Sequence, residues 1–271
     1  VLGRVEGLGD LSHAAAVFSR DQRYAYVFGR DGGLTKVDLL TRQIVKRIIQ
    51  AGNSIGGAIS QDGRVVAAQN YEPGGVKFFA ADSLELLSEI STFDEKASRA
   101  SKVVGLADLP GNRFGFSLFE AGDIWIADIS DPRKPVVTKF PNVGKQPYDG
   151  LGGGNGRYYI AGLYGEDGLA MLDLWQAKPK VQRILNGYAH DEKAFPVYKM
   201  PHLRGWSISD GKAFFPAIGH SKVLVAETAH WKQQASIGVA GQPVFVMAAP
   251  DARQVWVNFA FPDNGKVQVN D

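Results

Sequence analysis

Short runs of alternating apolar and polar residues follow one another along the whole chain, and clusters of turn residues separate them. In the first unit this alternation predicts strands at 14–18, 24–30, 34–39 and 43–49. The second unit repeats the plan with the segments GGAIS, RVVAAQN, VKFFA and LELLSEI. Units of four strands joined by tight turns predict an all-β protein built from four-stranded antiparallel sheets.

One phrase, a turn followed by a basic residue and a strand, recurs about six times. Its first copy runs from Ser19 to Tyr24 and its second begins at Ser60. The basic residues stand roughly 40–50 residues apart, which is typical of a β-propeller with one four-stranded blade per repeat. They are Arg23, Arg64, Arg113, Arg157, Lys212 and Arg253. An acidic residue that closes the third strand supports the same register in most units: Asp38, Asp128, Asp173, Glu227 and Asp271.

These repeats predict a single β-propeller domain over residues 1–271, with about six blades represented. Residues 1–5 read as a lone strand, and the last unit stops after its third strand. Two interpretations stay open from the residues alone. Either the first strand completes the last blade and closes a six-bladed ring, or the ring is larger and the domain is incomplete at both ends.

An insertion at 186–205 interrupts the even spacing between two blades. It is dense in polar and aromatic residues, among them His190, Tyr198, His202 and Arg204. Long insertions in an otherwise economical fold are more often functional than decorative, so we expect this one to contribute to a site.

The composition of the chain argues against several classes of function. The net charge of +2 provides no basic field for nucleic acid, and no apolar run approaches the ~18–20 residues that span a bilayer. The absence of cysteine excludes disulfides, thiolate metal sites and covalent c-type haem within these residues. GxSxG, HExxH and CxxC motifs are also missing, and the glycine run at 150–156 leads into a strand, so it reads as a turn. No free metal ion is expected.

In a propeller, the loops between blades and the turns between second and third strands lie on one face around the central funnel. Those loops here carry imidazoles, a few cations and aromatic rings, which suits a flat, anionic, mostly apolar ligand. The candidates in the loops between blades, including the insertion, are His13, Lys102, Tyr148, Asp149, His202 and Arg204. The candidates in the turns between second and third strands, or at the adjoining strand ends, are Arg30, Asn70, Tyr71, Tyr164, His220 and Phe261.

Several of these candidates have a purely structural alternative. His13 at a strand start is compatible with a hydrogen-bonded structural residue, and His202 with a residue that fastens the insertion. His220, in a tight turn, is expected to be solvated. Arg30 and Asp31 are adjacent, so an ion pair across their own turn is the structural alternative for Arg30.

Two sets of segments resemble known proteins. The runs LSHA, at 11–14, and SRDQRYAYVFGRDG, at 19–32, are similar to the first blade of the d1-haem domain of cytochrome cd1 nitrite reductase. The segments KQPYDGLGG, GLYGEDGLAMLDLW, VYKMPHLRGW, AGQPVFV and VWVNFAFPD resemble the NirF family, exported propeller proteins required for making haem d1. The resemblance spans essentially the whole chain.

The resemblance implies an eight-bladed d1-type propeller that is truncated here. It also implies a periplasmic location, a homodimer, and a lipid anchor upstream of Val1 as the only contact with the membrane. Nitrite reductase and other haem d1 assembly proteins are the implied protein partners.

For the site, the resemblance implies that haem d1 or dihydro-haem d1 lies over the funnel, with His13 as the iron ligand. His202 matches approximately a distal histidine of the reductase, and Arg30 matches an arginine near the tetrapyrrole carboxylates. The other residues predicted to bind the ligand are Asn70, Tyr71, Lys102, Tyr164, Arg204 and Phe261. His202, Tyr148 and Asp149, with His13, form the predicted catalytic set.

Three functional hypotheses stay open. The chain is an enzyme of late haem d1 assembly for nitrite reductase in denitrification, a non-catalytic tetrapyrrole carrier or scaffold, or an interaction platform of the YVTN type without cofactor. Nitrite reduction by the chain itself is not expected, because the CxxCH motif of an electron-donating c-haem domain is missing.

Overall fold

The computed structural model of the chain describes residues 3–95, 98–153, 156–186, 207–209, 211–249, 253–260 and 267–270. Regular structure in these ranges consists of β-strands and one 3-10 turn, Ile218–His220. None of the described residues forms a helix long and apolar enough to cross a bilayer. The chain divides into two compact units, Val1–Pro141 and Asn142–Asp271.

The first unit contains three four-stranded antiparallel sheets, each with its strands in chain order. The first strands of successive sheets contact one another, so the sheets stand side by side as blades. Blade 1 comprises β1 Ala15–Phe18, β2 Tyr24–Phe28, β3 Gly33–Asp38 and β4 Gln43–Ile49. Blade 2 comprises β5 Asn53–Ile59, β6 Val65–Glu72, β7 Val76–Ala80 and β8 Leu86–Ile90. Blade 3, after the hairpin β9 Phe93–Asp94 and β10 Arg99–Ala100, comprises β11 Val103–Leu109, β12 Arg113–Leu118, β13 Asp123–Asp128 and β14 Val136–Phe140.

The second unit continues the same plan through two four-stranded sheets and one of three described strands. Blade 4 comprises β15 Pro147–Gly153, β16 Tyr158–Leu163, β17 Leu169–Asp173 and β18 Val181–Ile184. Blade 5 comprises β19 Ser207–Ser209, β20 Lys212–Ala217, β21 Lys222–Glu227 and β22 Lys232–Gly238. The last sheet comprises β23 Gln242–Met247, β24 Val255–Ala260 and β25 Val267–Asn270. The predicted strands of the first two blades agree with these bounds within a few residues.

The core of each unit lies between neighbouring blades. In the first unit, Phe78 of blade 2 and Phe114 of blade 3 are wholly buried, with ring centroids 5.7 Å apart. The hydroxyl of Tyr26 reaches from blade 1 to blade 2 and donates to the carbonyl of Ala81 at 2.6 Å. In the second unit, Phe215 and Trp231 pack with the apolar residues of blade 4. Side chains alternate between the two faces of each sheet, so a blade contributes to the cores on both of its sides.

The start of the chain differs from the prediction. The described residues of the segment Val1–Val5 form no strand. Instead, Gly3 packs against Arg42 and Gly9 against Arg47, so this segment follows the outer strand of blade 1.

The two ends of a blade have different roles, and we name them by their loops. The motif end carries the turn between first and second strands, where the repeated phrase lies, and the turn between third and fourth strands. The connection end carries the loops that join one blade to the next and the turns between second and third strands. In antiparallel sheets with this strand order, the two sets of loops lie at opposite ends.

At the motif end, basic and acidic residues of the repeat form ion pairs in two blades. Arg23 donates from Nε and Nη2 to Asp38 at 3.2 and 2.7 Å, and Arg157 donates from the same atoms to Asp173 at 3.0 and 2.6 Å. Arg113 in blade 3 instead donates to the carbonyl of its own turn at Pro110. The predicted register is confirmed for every acidic residue in the described part: Asp38, Asp128, Asp173 and Glu227. Asp271 lies outside it.

Candidate functional site

The connection end of blade 1 ties the turn of His13 to the turn of Arg30. The backbone N–H of Arg30 donates to the carbonyl of Asp10 at 2.8 Å, and the carboxylate of Asp10 accepts the N–H of Ser12 at 2.9 Å. The hydrogen bonds from Ser12, followed by the charge of Arg30, outweigh burial and lower the pKa of Asp10. The loops that carry His13 and Arg30, which are 17 positions apart in the sequence, are therefore held together.

His13 lies in the turn before β1 and is exposed. Its ring makes no hydrogen bond or ion pair with any other residue that the structure describes. The structural alternative for His13, a side chain held by hydrogen bonds, is therefore not found in the described part of the chain. An accessible imidazole of this kind can coordinate a metal through a ring nitrogen.

Asp31 does not pair with its neighbour Arg30. Its carboxylate accepts a hydrogen bond from Nη2 of Arg47 at 2.5 Å and another from the N–H of Gly33 at 3.0 Å. Burial raises the pKa of Asp31, but these hydrogen bonds and the charge of Arg47 outweigh it and leave the pKa below its usual value. The structural alternative of an ion pair between Arg30 and Asp31 is therefore wrong.

The guanidinium of Arg30 is half-buried, and it has no ion pair or hydrogen bond within the described ranges. A guanidinium presents a planar fork of donors that matches a carboxylate. Arg47 was not among the predicted site residues, and its contact occupies the carboxylate of Asp31, the residue next to Arg30 in the sequence. The signal for it is an acid in the turn between second and third strands with an arginine on the fourth strand.

Tyr71 and Lys102 were predicted separately, and the structure brings them together between blades 2 and 3. The ammonium of Lys102 lies 5.8 Å from the ring centroid of Tyr71 and 5.7 Å from that of Phe119. Cations at such distances are attracted to the face of an aromatic ring. Nζ of Lys102 also lies 3.4 Å from Oε1 of Glu120.

Glu120 was not among the predicted site residues. Its Oε2 accepts hydrogen bonds from the backbone N–H of Lys102 at 2.7 Å and from Oγ of Ser101 at 3.1 Å. Burial raises the pKa of Glu120, but these hydrogen bonds and the charge of Lys102 outweigh it, so the pKa lies below its ordinary value. Glu120 is therefore a fixed negative charge at the connection end.

Asn70 lies below the surface of the same region. Its side chain is fully buried, and its Oδ1 accepts a hydrogen bond from Nε2 of Gln50 at 2.8 Å. Asn70 thus supports the loop between blades 1 and 2 from inside, and its predicted contact with a ligand stays a prediction.

In the second unit, Tyr148 and Tyr164 meet at the connection end of blade 4. Their ring centroids are 5.9 Å apart and the ring planes are inclined by 47°. The N–H of Tyr164 donates to the carbonyl of Gln146 at 2.9 Å, which holds the two turns together. Asp149, next to Tyr148 on β15, is buried. The two tyrosines form a half-buried aromatic surface of the predicted kind.

The expectation that His220 is solvated is wrong. The residue closes the 3-10 turn of blade 5, and its side chain is 1% exposed. Its Nε2 lies 3.7 Å from Oδ1 of Asp167, which belongs to the corresponding turn of blade 4. Packing between neighbouring blades buries this imidazole, and sequence around a tight turn does not reveal such packing.

Three predicted site residues lie outside the described residues: His202, Arg204 and Phe261. Of the insertion at 186–205, only residue 186 is described. Within the described ranges, no group of three or more His, Asp or Glu residues could hold a metal ion. A pocket of about 430 Å³ lies beside the hairpin of β9 and β10, lined by Pro73, Lys77 and Phe93 among others, and it includes none of the predicted site residues.

The chain is similar in sequence to several known proteins. The family model of the Cytochrome D1 heme domain matches residues 1–271. The chain is 64% identical over its full length to Protein NirF of Pseudomonas aeruginosa and 59% identical to Protein NirF of Stutzerimonas stutzeri, covering 69% of each. Dihydro-heme d1 dehydrogenase of Pseudomonas aeruginosa is 27% identical over 253 residues, 91% of this chain and 48% of that protein.

A solved structure confirms the fold. Dihydro-heme d1 dehydrogenase NirN in complex with DHE matches with a TM-score of 0.79 and 23% sequence identity. The match covers 96% of this chain and spans about half, 54%, of that chain. The prediction of an all-β propeller with four-stranded blades is confirmed.

Proposed function

Since the chain belongs to the NirF family of cytochrome d1 haem-domain proteins, which is involved in haem d1 biogenesis, we propose that it binds haem d1 or dihydro-haem d1 at the connection end of its blades. We further propose that it acts late in the assembly of this cofactor. The relative that shares its fold is a dihydro-haem d1 dehydrogenase in complex with DHE, which supports a tetrapyrrole of this class as the ligand.

The observation that carries the proposal is the pair of open groups at blade 1. An exposed imidazole, His13, and an uncommitted guanidinium, Arg30, lie on turns that are hydrogen bonded to each other. Iron in a tetrapyrrole accepts imidazole nitrogen as an axial ligand, and its peripheral carboxylates match a guanidinium. The residues present therefore fit the group, and Asp31, the acid next to Arg30 in the sequence, is already bound by Arg47.

The chemistry that bound haem d1 supplies is that of an iron tetrapyrrole, and the chain's own groups would hold and orient it. His13 would hold the iron, Arg30 would bind a carboxylate, and the ring of Tyr71 would contact the macrocycle. Proton transfer by His202, Tyr148 or Asp149 would make the chain an enzyme rather than a carrier. The periplasmic location, homodimer and hand-over to nitrite reductase are proposals that rest on the family alone.

A spectroscopic titration tests the proposal. The purified protein is titrated with haem d1 and with dihydro-haem d1, beside the variants His13→Ala and His230→Ala. His230 is the matched control, because it is an exposed histidine at the motif end of blade 5, where it pairs with Glu227. We expect a saturable visible shift that the His13 variant loses or alters and the His230 variant retains. Absence of any shift in the unmodified protein would overturn the proposal, and an unaltered His13 variant would remove His13 as the iron ligand.

A further inference from the structure

Lys102 and Arg30 are both cations at the connection end of the first unit, but among the described residues only Lys102 lies within salt-bridge distance of an acidic side chain. Nζ of Lys102 lies 3.4 Å from Oε1 of Glu120, and its side chain is 45% exposed. Arg30 makes no salt bridge within the described ranges: the acid of its turn is bound by Arg47, and the charge of Arg30 acts on the carboxylate of Asp10 without a hydrogen bond. A ligand carboxylate therefore meets an open guanidinium at blade 1 and an occupied ammonium at blade 3.

In two described blades, the acid in the turn between second and third strands pairs with an arginine of the fourth strand, and in blade 3 it does not. In blade 1, Asp31 pairs with Arg47 of the fourth strand, and in blade 4, Glu166 pairs with Arg183 of the fourth strand at 3.1 Å. The fourth strand of blade 3, Val136–Phe140, has no arginine. Its only cation, Lys139, lies 4.0 Å from the ring centroid of Trp125. Glu120 therefore has no outer-strand arginine and takes the candidate ligand-binding lysine instead.

Glu120 is held in place by more hydrogen bonds than the ammonium of Lys102, and its side chain is less exposed. Oε2 of Glu120 is held by the N–H of Lys102 and the hydroxyl of Ser101, and the same hydroxyl accepts the N–H groups of Glu120 and Ala121 at 3.0 and 3.3 Å. The carboxylate side chain is 20% exposed, whereas the lysine side chain is more than twice as exposed. A lysine has four rotatable methylene groups, so its ammonium can turn to a new partner while the carboxylate stays in place.

We propose that Glu120 is a built-in competitor for Lys102. It occupies the ammonium in the absence of ligand, and a carboxylate of the bound tetrapyrrole replaces it. The rings of Tyr71 and Phe119 stabilise the ammonium in both states, since they attract the cation whichever carboxylate it faces. This inference rests on the proposed function. It adds that Glu120 lowers the affinity of the site for an anionic ligand and so favours release of that ligand.

The test removes the charge of Glu120 and keeps its shape. Glu120→Gln retains an oxygen for the N–H of Lys102 and ends the competition, so affinity for a carboxylate-bearing haem d1 should rise about five-fold. The methyl ester of the same tetrapyrrole should bind both proteins equally. Glu85→Gln is the matched control, because it removes the same charge from an ion pair with Arg133 at the motif end of blades 2 and 3, and it should leave affinity unchanged.

A double-mutant cycle with Lys102→Met assigns the effect to the pair. The gain from Glu120→Gln should disappear when Lys102 is absent, because there is then no ammonium to release. A second measurement does not need the Glu120 variant: Lys102→Met should cost the acid ligand about two-fold, less than the roughly ten-fold loss expected for Arg30→Gln. If Lys102→Met costs more than Arg30→Gln, the inference is wrong.

The outcomes separate this inference from the proposed function. Binding by the unmodified protein with no gain, or with a loss, in Glu120→Gln overturns the competitor role and leaves the proposed function standing. Failure of the unmodified protein to bind either tetrapyrrole overturns both.

Discussion

In blade 1, the arginine of the repeat at the motif end forms a salt bridge, whereas Arg30 at the connection end does not. At the motif end, the repeated arginines Arg23 and Arg157 are committed to Asp38 and Asp173 of the same blade. At the connection end, neither Arg30 nor His13 makes a salt bridge or a side-chain hydrogen bond among the described residues, although the charge of Arg30 lowers the pKa of Asp10. The comparison teaches that the regular part of this sequence encodes the scaffold, and that the groups available to a ligand lie where the repeat is irregular.

The ion pair at the motif end of blade 1 is part of a local set of hydrogen bonds to Asp38. Asp38 accepts two hydrogen bonds from Arg23 and further ones from the N–H groups of Leu40 and Thr41, at 2.9 and 3.1 Å. One carboxylate thereby joins the turn after the first strand to the turn after the third. Such a residue closes a blade, and nothing remains on it for a ligand.

Asp38→Asn tests this view of the motif end and should have the largest effect on stability. The amide supplies only one acceptor oxygen and turns a donor toward either the guanidinium of Arg23 or the backbone N–H groups. The melting temperature should fall by several degrees, while affinity for the tetrapyrrole stays unchanged. Asp128→Asn is the matched control in blade 3. Within the described residues, Asp128 accepts only the N–H of Ser130, and Arg113 donates to a backbone carbonyl instead. The melting temperature of the Asp128→Asn variant should therefore change less. Equal losses in the two variants would contradict the pairing as a source of stability.

The ion pairs of Asp38 and Asp173 should also make the stability of the protein depend on pH, with a smaller effect than that of Asp38→Asn. Hydrogen bonds from Arg23 and from Arg157 lower the pKa of Asp38 and of Asp173 in the folded protein. A carboxyl whose folded pKa is depressed stabilises the fold fully above its unfolded pKa of about 4, and this contribution is lost as pH falls through the folded pKa. Urea denaturation at pH 7 and at successively lower pH should therefore show falling stability. The fall should be shallower in the Asp38→Asn, Asp173→Asn double variant, and an identical pH profile would contradict the account.

Much of the fold was predictable because the strands and turns are local signals. The copies of the phrase at Ser19 and Ser60 form the same turn: each hydroxyl donates to the aspartate two residues later and accepts the N–H of the following strand. The hairpin of Phe93–Asp94 and Arg99–Ala100 was missed, because strands of two residues show no alternation. The lone strand predicted at residues 1–5 was wrong in its described part, because a short apolar run also suits a segment packed on an outer strand.

The candidate site was only partly predictable, because loops are placed by topology and contacts by packing. The strand order alone puts His13, Arg30 and Lys102 at the connection end of their blades. It does not show that Arg47 removes Asp31 from Arg30, or that Glu120 occupies Lys102, since each contact joins residues 16 or more positions apart. Burial of His220 between two blades is likewise a tertiary effect.

A matched pair of arginine variants tests the central claim most directly. Arg30→Gln and Arg23→Gln remove the same charge from opposite ends of blade 1, and each is measured for haem d1 affinity and melting temperature. The account predicts that Arg30→Gln loses roughly ten-fold in affinity with an unchanged melting temperature, because a charge-assisted contact to the ligand is lost. Arg23→Gln should keep its affinity and melt lower, because its pair with Asp38 and its contact with the ring of Tyr24 are lost. Unchanged affinity in Arg30→Gln, or an equal loss of affinity in both variants, would contradict the assignment of the ligand to the connection end.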